Sequence, residues 1–267
     1  RKMKVVFWNK EDPMHYDRFL PVTRHADVIL TTDARKVADY RRDVPAARVE
    51  VLPFAAQPRL CNPAERTKIH QETLCFAGSY YAKGHGERKQ QMDALLPTIP
   101  EFGGAIYDRM SSIVGGRYDY PRQYQRFIRP AVAFTEMAKL YKAFKVFLNV
   151  NTVTNSPTMM SRRVYELLAS GTPVVPAPSE ALERIFPGII QIASSKSQAS
   201  NAVAKLIADT AFRDRVAHLG YREVMRKHTY RNRLETILPI MGIDRSTVMP
   251  LVSVVLCTMR PHLVARF

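Results

Sequence analysis

Cysteine is scarce in this sequence, since only Cys61, Cys75 and Cys257 occur among its 267 residues. Three scattered cysteines are typical of reduced thiols in a cytoplasmic protein, and their spacing fits neither a disulfide framework nor a structural zinc site. Long hydrophobic runs are missing as well, because none reaches the roughly 18 residues that a transmembrane helix requires. Apolar residues still make up 46% of the chain, which is enough for one large or two modest cores.

Acidic residues are also few: 24 Asp and Glu stand against 40 Lys and Arg, for a formal net charge of +16. This charge indicates anionic partners such as nucleotide sugars, polyanionic glycans, acidic lipids or nucleic acid. The basic residues are spread along the chain without an RNA-binding aromatic motif, so we do not expect nucleic acid as a partner. We expect a cytoplasmic protein with peripheral contact at the inner face of an acidic membrane.

Residues 141–175 form the most informative stretch. A short apolar run at 146–148 is typical of a buried strand in a parallel sheet, and a polar loop that includes Asn149 and Asn151 follows it. Ser156 and Pro157 predict the start of a helix, with serine as the N-cap and proline in the first turn. Gly171 ends this helix, and the next strand is predicted at 173–176.

The charges of this predicted helix are unusual. Its first turn has no acid, and Arg162 and Arg163 fall in its second turn, where the helix dipole disfavours cations. An anion over the free N–H groups of Thr158, Met159 and Met160, clamped by the two arginines, would satisfy both features. The pattern therefore predicts a diphosphate site at the carboxyl end of a parallel sheet. The alternative is a surface helix with two solvated arginines.

Strands and helices alternate along the whole chain. Apolar runs at 4–8, 26–32 and 49–53, with a helix after Asp33, have the rhythm of a Rossmann-like unit. Further strands are predicted at 74–77, 105–107, 146–148, 173–176, 189–192 and 251–258. Helices are predicted at 135–145, from 156 onward, and at 179–186, 198–208, 211–227 and 231–238. Residues 55–69 are predicted to be a linker, and 115–130 a loop.

Two acids and a histidine follow the first predicted strand, at a place where ligands bind in α/β sheets. Glu11, Asp12 or His15 could serve there as a catalytic base. The alternative is that Asp12 belongs to a turn that begins a helix. After the strand at 74–77, Gly78 allows close approach of the backbone to a phosphate, and a helix that carries Arg88 follows.

Eight pieces of the sequence, in order, carry a resemblance to a known family. They are WNKEDP (8–13), TTD (31–33), LPFAA (52–56), CFAGSYY (75–81), IYDR (106–109), FLNVN (147–151), SPTMMSRRVYELLASGTPVV (156–175) and HTYRNR (228–233). With them, residues 4 to about 236 resemble the donor-binding core of GT-B "group 1" glycosyltransferases, in the CgeB-like, spore-maturation branch. The tail, VSVVLCT (252–258) with Arg260 and Pro261, resembles the start of a GT-A, family 2-like glycosyltransferase domain.

The resemblance implies an α/β fold with three regions. Residues 1–68 would be the last part of a Rossmann-like, acceptor-side domain and a linker, 69–238 a Rossmann-type nucleotide-sugar domain with a parallel sheet, and 239–267 a hinge and the first strand of a downstream glycosyltransferase domain in a longer parent chain. The implied activity is transfer of a hexosyl group from UDP-sugar or another NDP-sugar to a glycan, lipid-linked or protein acceptor. The alternative is a catalytically silent nucleotide-binding or scaffold module.

Individual roles follow from these positions and from the resemblance. The expected catalytic residues are Glu11, Asp12, His15, Arg162 and Arg163. The expected donor-binding residues are Gly78, Ser79, Tyr80, Arg88, Arg109, Asn149, Asn151, Ser156, Pro157, Thr158, Arg162, Arg163 and Glu166. Glu166 matches the second of two family glutamates and would bind the ribose hydroxyls, whereas the first would fall at Thr158, which is not an acid. No DxD motif is present, so we expect neither a metal nor another cofactor.

Overall fold

The computed structural model describes residues 4–80, 86–111 and 118–243 of the chain. Its first sheet has three parallel strands in the order β1–β2–β3: β1 (Val6–Asn9), β2 (Val28–Thr31) and β3 (Arg48–Val51). The helices α1 (Tyr16–Thr23) and α2 (Val37–Asp43) connect them. As predicted, Asp33 caps the turn that leads into α2, because its Oδ1 accepts a hydrogen bond from Arg35 N at 3.0 Å.

The second sheet has five parallel strands in the order β6–β5–β4–β7–β8. They are β4 (Glu72–Ala77), β5 (Gly104–Tyr107), β6 (Ile128–Arg129), β7 (Phe144–Asn149) and β8 (Val174–Pro176). This order reverses direction between β4 and β7. In open parallel sheets such a reversal opens a crevice at the carboxyl ends of the two strands. The Rossmann-type parallel sheet predicted for this region is therefore confirmed.

Eight α-helices follow β4 along the part of the chain that the structure describes. They are α3 (Gly86–Leu95), α4 (Thr98–Phe102), α5 (Met137–Lys142), α6 (Arg162–Ala169), α7 (Glu180–Ile185), α8 (Lys196–Ala208), α9 (Thr210–Lys227) and α10 (Tyr230–Ile240). None of the described helices is both long and apolar enough to cross a membrane.

Both faces of the second sheet are covered, which explains why its strands read as continuous apolar runs. Phe147 of β7 points into one core with Val164 and Leu168 of α6. Leu148, the next residue, points into the opposite core with Val203 of α8. All five side chains are buried. This alternation fixes the register of β7, since a slip by one residue would exchange the two cores.

The last helix returns the chain to the first sheet. Ala56 pairs with Thr229, and Ala56 N donates to His228 O at 2.9 Å. Arg233 of α10 is buried and its Nε donates to Pro53 O at 2.8 Å. Further along α10, Ile237 packs against the core of the first sheet. The two sheets are thus joined by both the linker after β3 and the helix α10.

Several predicted boundaries are wrong. The predicted strand at 189–192 is a turn followed by irregular chain, and the backbone bond from Ala193 N to Pro176 O is made just beyond it. The predicted helix at 135–145 ends early because Phe144 begins β7. Neither α4 nor β6 is predicted from the sequence, since both are too short to show a period. The strand predicted at 251–258 lies outside the described residues.

The start of α6 is the difference between prediction and structure that matters most for the site. The sequence predicts a helix from Ser156, but the helix begins at Arg162. Ser156 is fully buried, and its Oγ accepts hydrogen bonds from Thr158 N at 3.3 Å and Met159 N at 3.0 Å. These bonds form a local turn that competes with a helix. The same hydroxyl donates to Asp33 of the first sheet, so a tertiary contact holds the segment out of helical form.

Candidate active site

A cleft of about 910 Å³ lies where the carboxyl end of β1 faces the carboxyl ends of β4 and β7. An adjoining cavity of about 560 Å³ extends it toward the first sheet. Arg88, Arg109 and Arg163 line both spaces, as do Lys10 and Glu11 from the other side. Three guanidinium groups from three different elements therefore converge on one opening, which suits an anionic ligand.

The turn after β4 brings backbone and a guanidinium group together. A Cβ added at Gly78 would lie 3.2 Å from the Phe76 ring and 3.5 Å from Arg88 Nη2. The missing side chain at Gly78 lets the Arg88 guanidinium group lie close to the backbone of this turn. Ser79 lines the same cleft, is only 4% exposed, and its Oγ has no hydrogen-bond partner among the described residues. A buried hydroxyl without a partner favours a ligand that accepts a hydrogen bond from it.

The two arginines of α6 have different partners. Arg163 Nη1 donates to Ala77 O, at the end of β4, at 2.6 Å, which places this guanidinium group beside Gly78. Its Nε is buried and has no hydrogen-bond partner in the described part of the chain. Arg162 Nε instead pairs with Glu166 Oε1 at 2.9 Å, and the guanidinium carbon lies 5.6 Å from the Phe134 ring centre. Of the two, Arg163 is directed toward the turn after β4.

The predicted anion position over residues 158–160 is wrong. The N–H groups of Thr158 and Met159 already donate to Ser156. Because α6 begins later than predicted, Arg162 and Arg163 lie in its first turn. The N-cap residue is Ser161, and its side chain makes no capping hydrogen bond. Two cations at the positive end of a helix are locally unfavourable, and an anion there would offset both charges. The candidate anion position moves to the first turn of α6.

Glu166 faces the same cleft one turn further along α6. Its side chain is 13% exposed and holds two hydrogen bonds, from Arg162 Nε and from Tyr141 Oη at 2.7 Å. Burial raises the pKa of Tyr141 above its usual value, and the charge of Glu166 adds to this rise. Tyr141 therefore remains a hydrogen-bond donor, and Glu166 keeps a fixed orientation.

The three candidate acids and bases after β1 differ in burial. Asp12 is fully buried and accepts hydrogen bonds from Thr31 Oγ1 at 2.6 Å and Asn9 Nδ2 at 2.8 Å. Burial raises the pKa of Asp12, although its hydrogen bonds oppose that rise. These contacts indicate that Asp12 holds the loop in place. All three residues line the cavity, but only Glu11 and His15 are exposed, so the geometry favours these two as bases.

Six predicted donor-binding residues do not line the cleft or the cavity in the described structure. Tyr80 is buried against Tyr120, with ring centres 5.2 Å apart. Ser156 and Thr158 contact the first sheet instead, Asp33 and Thr32 respectively, with Pro157 between them. The remaining two are asparagines that are only 1% exposed, Asn149 and Asn151.

Other lining residues were not predicted. They include Lys10, Phe134, Tyr141, Thr152 and Ser161. Phe134 is 64% exposed at the edge of the cleft, and exposed aromatic rings there can stack on a flat ligand. Sequence patterns cannot single out such a residue, because its exposure is decided by the packing of neighbouring elements. Among the residues described, no group of three or more His, Cys, Asp or Glu is arranged to hold a metal ion.

Comparisons with known proteins identify the family and the fold. The sequence profile described as "Glycosyl transferase-like" matches residues 93–239, more than half of the chain. HepE from Anabaena, solved with UDP and glucose, is 15% identical with a TM-score of 0.63, over 89% of this chain and 71% of HepE. No curated protein matches the sequence significantly.

Two further solved structures are similar. Sucrose-phosphate synthase from Thermosynechococcus elongatus is 15% identical with a TM-score of 0.57, over 87% of this chain. WaaG, a glycosyltransferase involved in lipopolysaccharide biosynthesis, is 12% identical with a TM-score of 0.58, over 89% of this chain and 75% of WaaG. This chain spans 62% of the length of the synthase. At these identities the likeness shows the fold, the parallel α/β architecture of GT-B glycosyltransferases.

Proposed function

Because the chain belongs to the glycosyl transferase-like family, we propose that it transfers a hexosyl group from a nucleotide sugar to a glycan, lipid-linked or protein acceptor. One observation carries the proposal: Arg163 and Arg88 converge beside Gly78 in the crevice at the carboxyl ends of β4 and β7. An NDP-sugar carries a diphosphate, and parallel sheets bind such groups at the carboxyl ends of their strands. UDP is the proposed nucleotide, since the similar HepE was solved with it.

In the proposed reaction, the oxygen of an acceptor hydroxyl forms a bond to the anomeric carbon of the sugar. The bond from that carbon to the diphosphate oxygen breaks, and its electron pair leaves with the diphosphate. Arg163 and Arg88 would stabilise the charge that develops on this leaving group. Glu11 or His15, exposed across the cleft, would take the proton of the acceptor hydroxyl.

Other groups would orient the donor. The carboxylate of Glu166, held by Tyr141 and Arg162, is proposed to accept hydrogen bonds from the ribose hydroxyls. The backbone at Gly78, the hydroxyl of Ser79 and the guanidinium group of Arg109 are proposed to contact the phosphates. Because arginines supply the positive charge, we propose that donor binding needs no divalent cation or other cofactor.

Proposals on the family branch, the parent chain and the location rest on the sequence resemblance and on charge. We propose membership of the CgeB-like branch, a downstream GT-A domain in a longer parent chain, and a cytoplasmic location with peripheral contact to acidic lipid. What supports the lipid contact is the net charge of +16. Binding to vesicles with and without acidic lipid, at two salt concentrations, tests it. We expect binding only to acidic vesicles and weaker binding at high salt.

The donor proposal is tested by titrating UDP into the full chain in EDTA and following binding by calorimetry. We expect binding in EDTA and a marked loss with Arg163→Ala. Arg222→Ala, an exposed arginine on α9, is the matched control and should bind like the parent. Binding that disappears in EDTA would contradict the metal-independent site. Release of glucose from UDP-glucose, or its transfer, then separates an enzyme from a silent nucleotide-binding module.

A further inference from the structure

Gln91 lies on α3, one turn beyond Arg88, and holds the loop that leads from β7 to α6. Its Nε2 donates to Asn151 O at 3.0 Å, and its Oε1 accepts from Asn151 N at 2.9 Å. A side-chain amide that pairs with both backbone groups of one residue fixes that residue much as a neighbouring strand would. The loop is therefore anchored to α3 at Asn151.

Asn151 in turn holds the start of α6. Its side chain is 1% exposed, and its Oδ1 accepts a hydrogen bond from Ser161 N at 2.8 Å. Ser161 immediately precedes α6, and its own side chain does not cap the helix. The contact closes the loop on itself, so that the position of Asn151 determines where α6 begins.

The first two residues of α6 are Arg162 and Arg163, which line the cleft. Gln91 and Asn151 do not line it in the described structure, so they can act on a ligand only through other residues. Displacement of a binding group by about 1 Å can reduce a rate by two orders of magnitude. The geometry points to Gln91 as a positioning residue: through Asn151 and Ser161 it sets the place of Arg163 at the diphosphate site. This inference rests on the proposed function.

Other residues of α3 support the same loop. Thr154 Oγ1 donates to Glu87 Oε2 at 3.0 Å, and Arg88 Nη1 donates to Thr152 Oγ1 at 3.4 Å. Those two contacts join side chains, which can rotate without moving the backbone. Among the hydrogen bonds described between α3 and this loop, those of Gln91 reach the backbone directly. Gln91 is therefore the residue of α3 whose loss should move the start of α6.

The test replaces Gln91 with leucine, which has a similar size but makes neither hydrogen bond. Gln90→Leu, at the exposed neighbouring position, is the matched control. The affinities of the full chain for UDP and for uridine are measured by ligand-observed NMR. We expect Gln91→Leu to weaken UDP binding about tenfold or more while uridine binding stays unchanged. A general folding defect would weaken both ligands alike and leave their affinity ratio at the parent value.

A second variant approaches the same contact from its other end. Ser161→Pro removes the N–H group that donates to Asn151, and the φ of −55° at this position is one that proline adopts. It should lower the ratio of UDP to uridine affinity as Gln91→Leu does. Hydrogen exchange gives a readout without ligand: the Ser161 amide should exchange faster in Gln91→Leu than in Gln90→Leu.

The results separate a failure of the positioning role of Gln91 from a failure of the diphosphate site. If Arg163→Ala lowers the ratio of UDP to uridine affinity but Gln91→Leu and Ser161→Pro keep the parent ratio, Gln91 has no positioning role and the donor site stands. If the parent chain binds UDP no better than uridine, the proposed diphosphate site fails and the inference fails with it. A lower ratio in both variants, with faster exchange at Ser161, supports the inference.

Discussion

Ser156 donates a hydrogen bond of 2.7 Å from its Oγ to Asp33 Oδ1, across 123 positions of sequence. Both residues are buried. Close by, Thr158 Oγ1 accepts from Ala34 N at 2.9 Å and donates to Thr32 O at 2.8 Å. These contacts attach the loop before α6 to the carboxyl edge of the first sheet. The loop that leads to the two arginines therefore also joins the two sheets.

Ser156→Ala should loosen this attachment. It removes a buried hydrogen bond to a carboxylate whose Oδ2 already has no partner among the described residues. We expect a loss of about 1.5–3 kcal/mol in the free energy of unfolding. Fluorescence of Trp8, the only tryptophan and part of β1, follows the first sheet during denaturation. Asn155→Ala, at an exposed side chain, is the control; an equal loss there would contradict a specific role for Ser156.

Arg163→Ala should reduce turnover more than donor binding, because the charge that it stabilises grows as the diphosphate leaves. We expect kcat to fall about ten- to a thousandfold. Arg163→Lys should restore little, since lysine lacks the planar fork. Arg162→Ala should have the smaller effect, because Arg162 pairs with Glu166. Steady-state kinetics with UDP-glucose on the three variants measures this, and near-parental kcat in Arg163→Ala would refute the role.

Glu166→Ala should weaken UDP binding by about 1.5–3 kcal/mol if its carboxylate holds the ribose. Tyr141→Phe is the matched control, since it removes the hydrogen bond that Glu166 accepts from Tyr141 and leaves the carboxylate present. We expect it to affect UDP affinity less than Glu166→Ala does. Calorimetric titration of UDP into both variants gives the comparison. Unchanged affinity in Glu166→Ala would mean that the carboxylate only contacts Arg162 and Tyr141 within the protein, where the pair with Arg162 contributes about 0.5 kcal/mol of stability.

Stability should fall as the pH is lowered from about 6.5 to about 4 because of His228. This side chain packs against Tyr165 and Phe186, and its Nδ1 lies 3.2 Å from Arg233 Nη2. Burial, followed by the charge of Arg233, lowers the pKa of His228 to about 4. The unfolded chain, with an ordinary histidine, therefore binds the proton first, and stability is complete only above the ordinary pKa.

Thermal unfolding between pH 4.5 and 7.5 tests this expectation. His228→Gln should flatten the dependence over that range, whereas His218→Gln, at an exposed site on α9, should keep it. Lys227 adds to the lowering of the His228 pKa, and Glu223 opposes it. An unchanged pH profile in His228→Gln would assign the acid sensitivity to other groups.

Local sequence patterns were sufficient to predict most of the strands and helices. The strands β4, β7 and β8 are short apolar runs, and Gly171 with Pro173 separates the last of them from α6. Such signals depend only on neighbours in sequence, so the strands and turns that they predict do not depend on contacts with distant residues. The same holds for α8 and α9, whose periodic apolar residues extend over three turns or more.

The start of α6 shows where local patterns fail. Ser156 and Pro157 have the residue types of a helix N-terminus, yet the hydroxyl of Ser156 is used by its own turn and by Asp33. A sequence window around 156 cannot contain Asp33. The predicted anion position was wrong for this reason, although the arginines themselves do reach the cleft.

By itself, the sequence determined the parallel α/β class, the basic charge and the set of arginines at the ends of strands, because composition and periodicity are properties of the chain alone. Only the tertiary structure decided that Arg163 faces Gly78 while Arg162 pairs with Glu166, and that Asp12 is buried. It alone showed Gln91 bound to Asn151, 60 positions away. Contacts of this kind form when distant segments pack together, and burial and partners follow from that packing rather than from residue type.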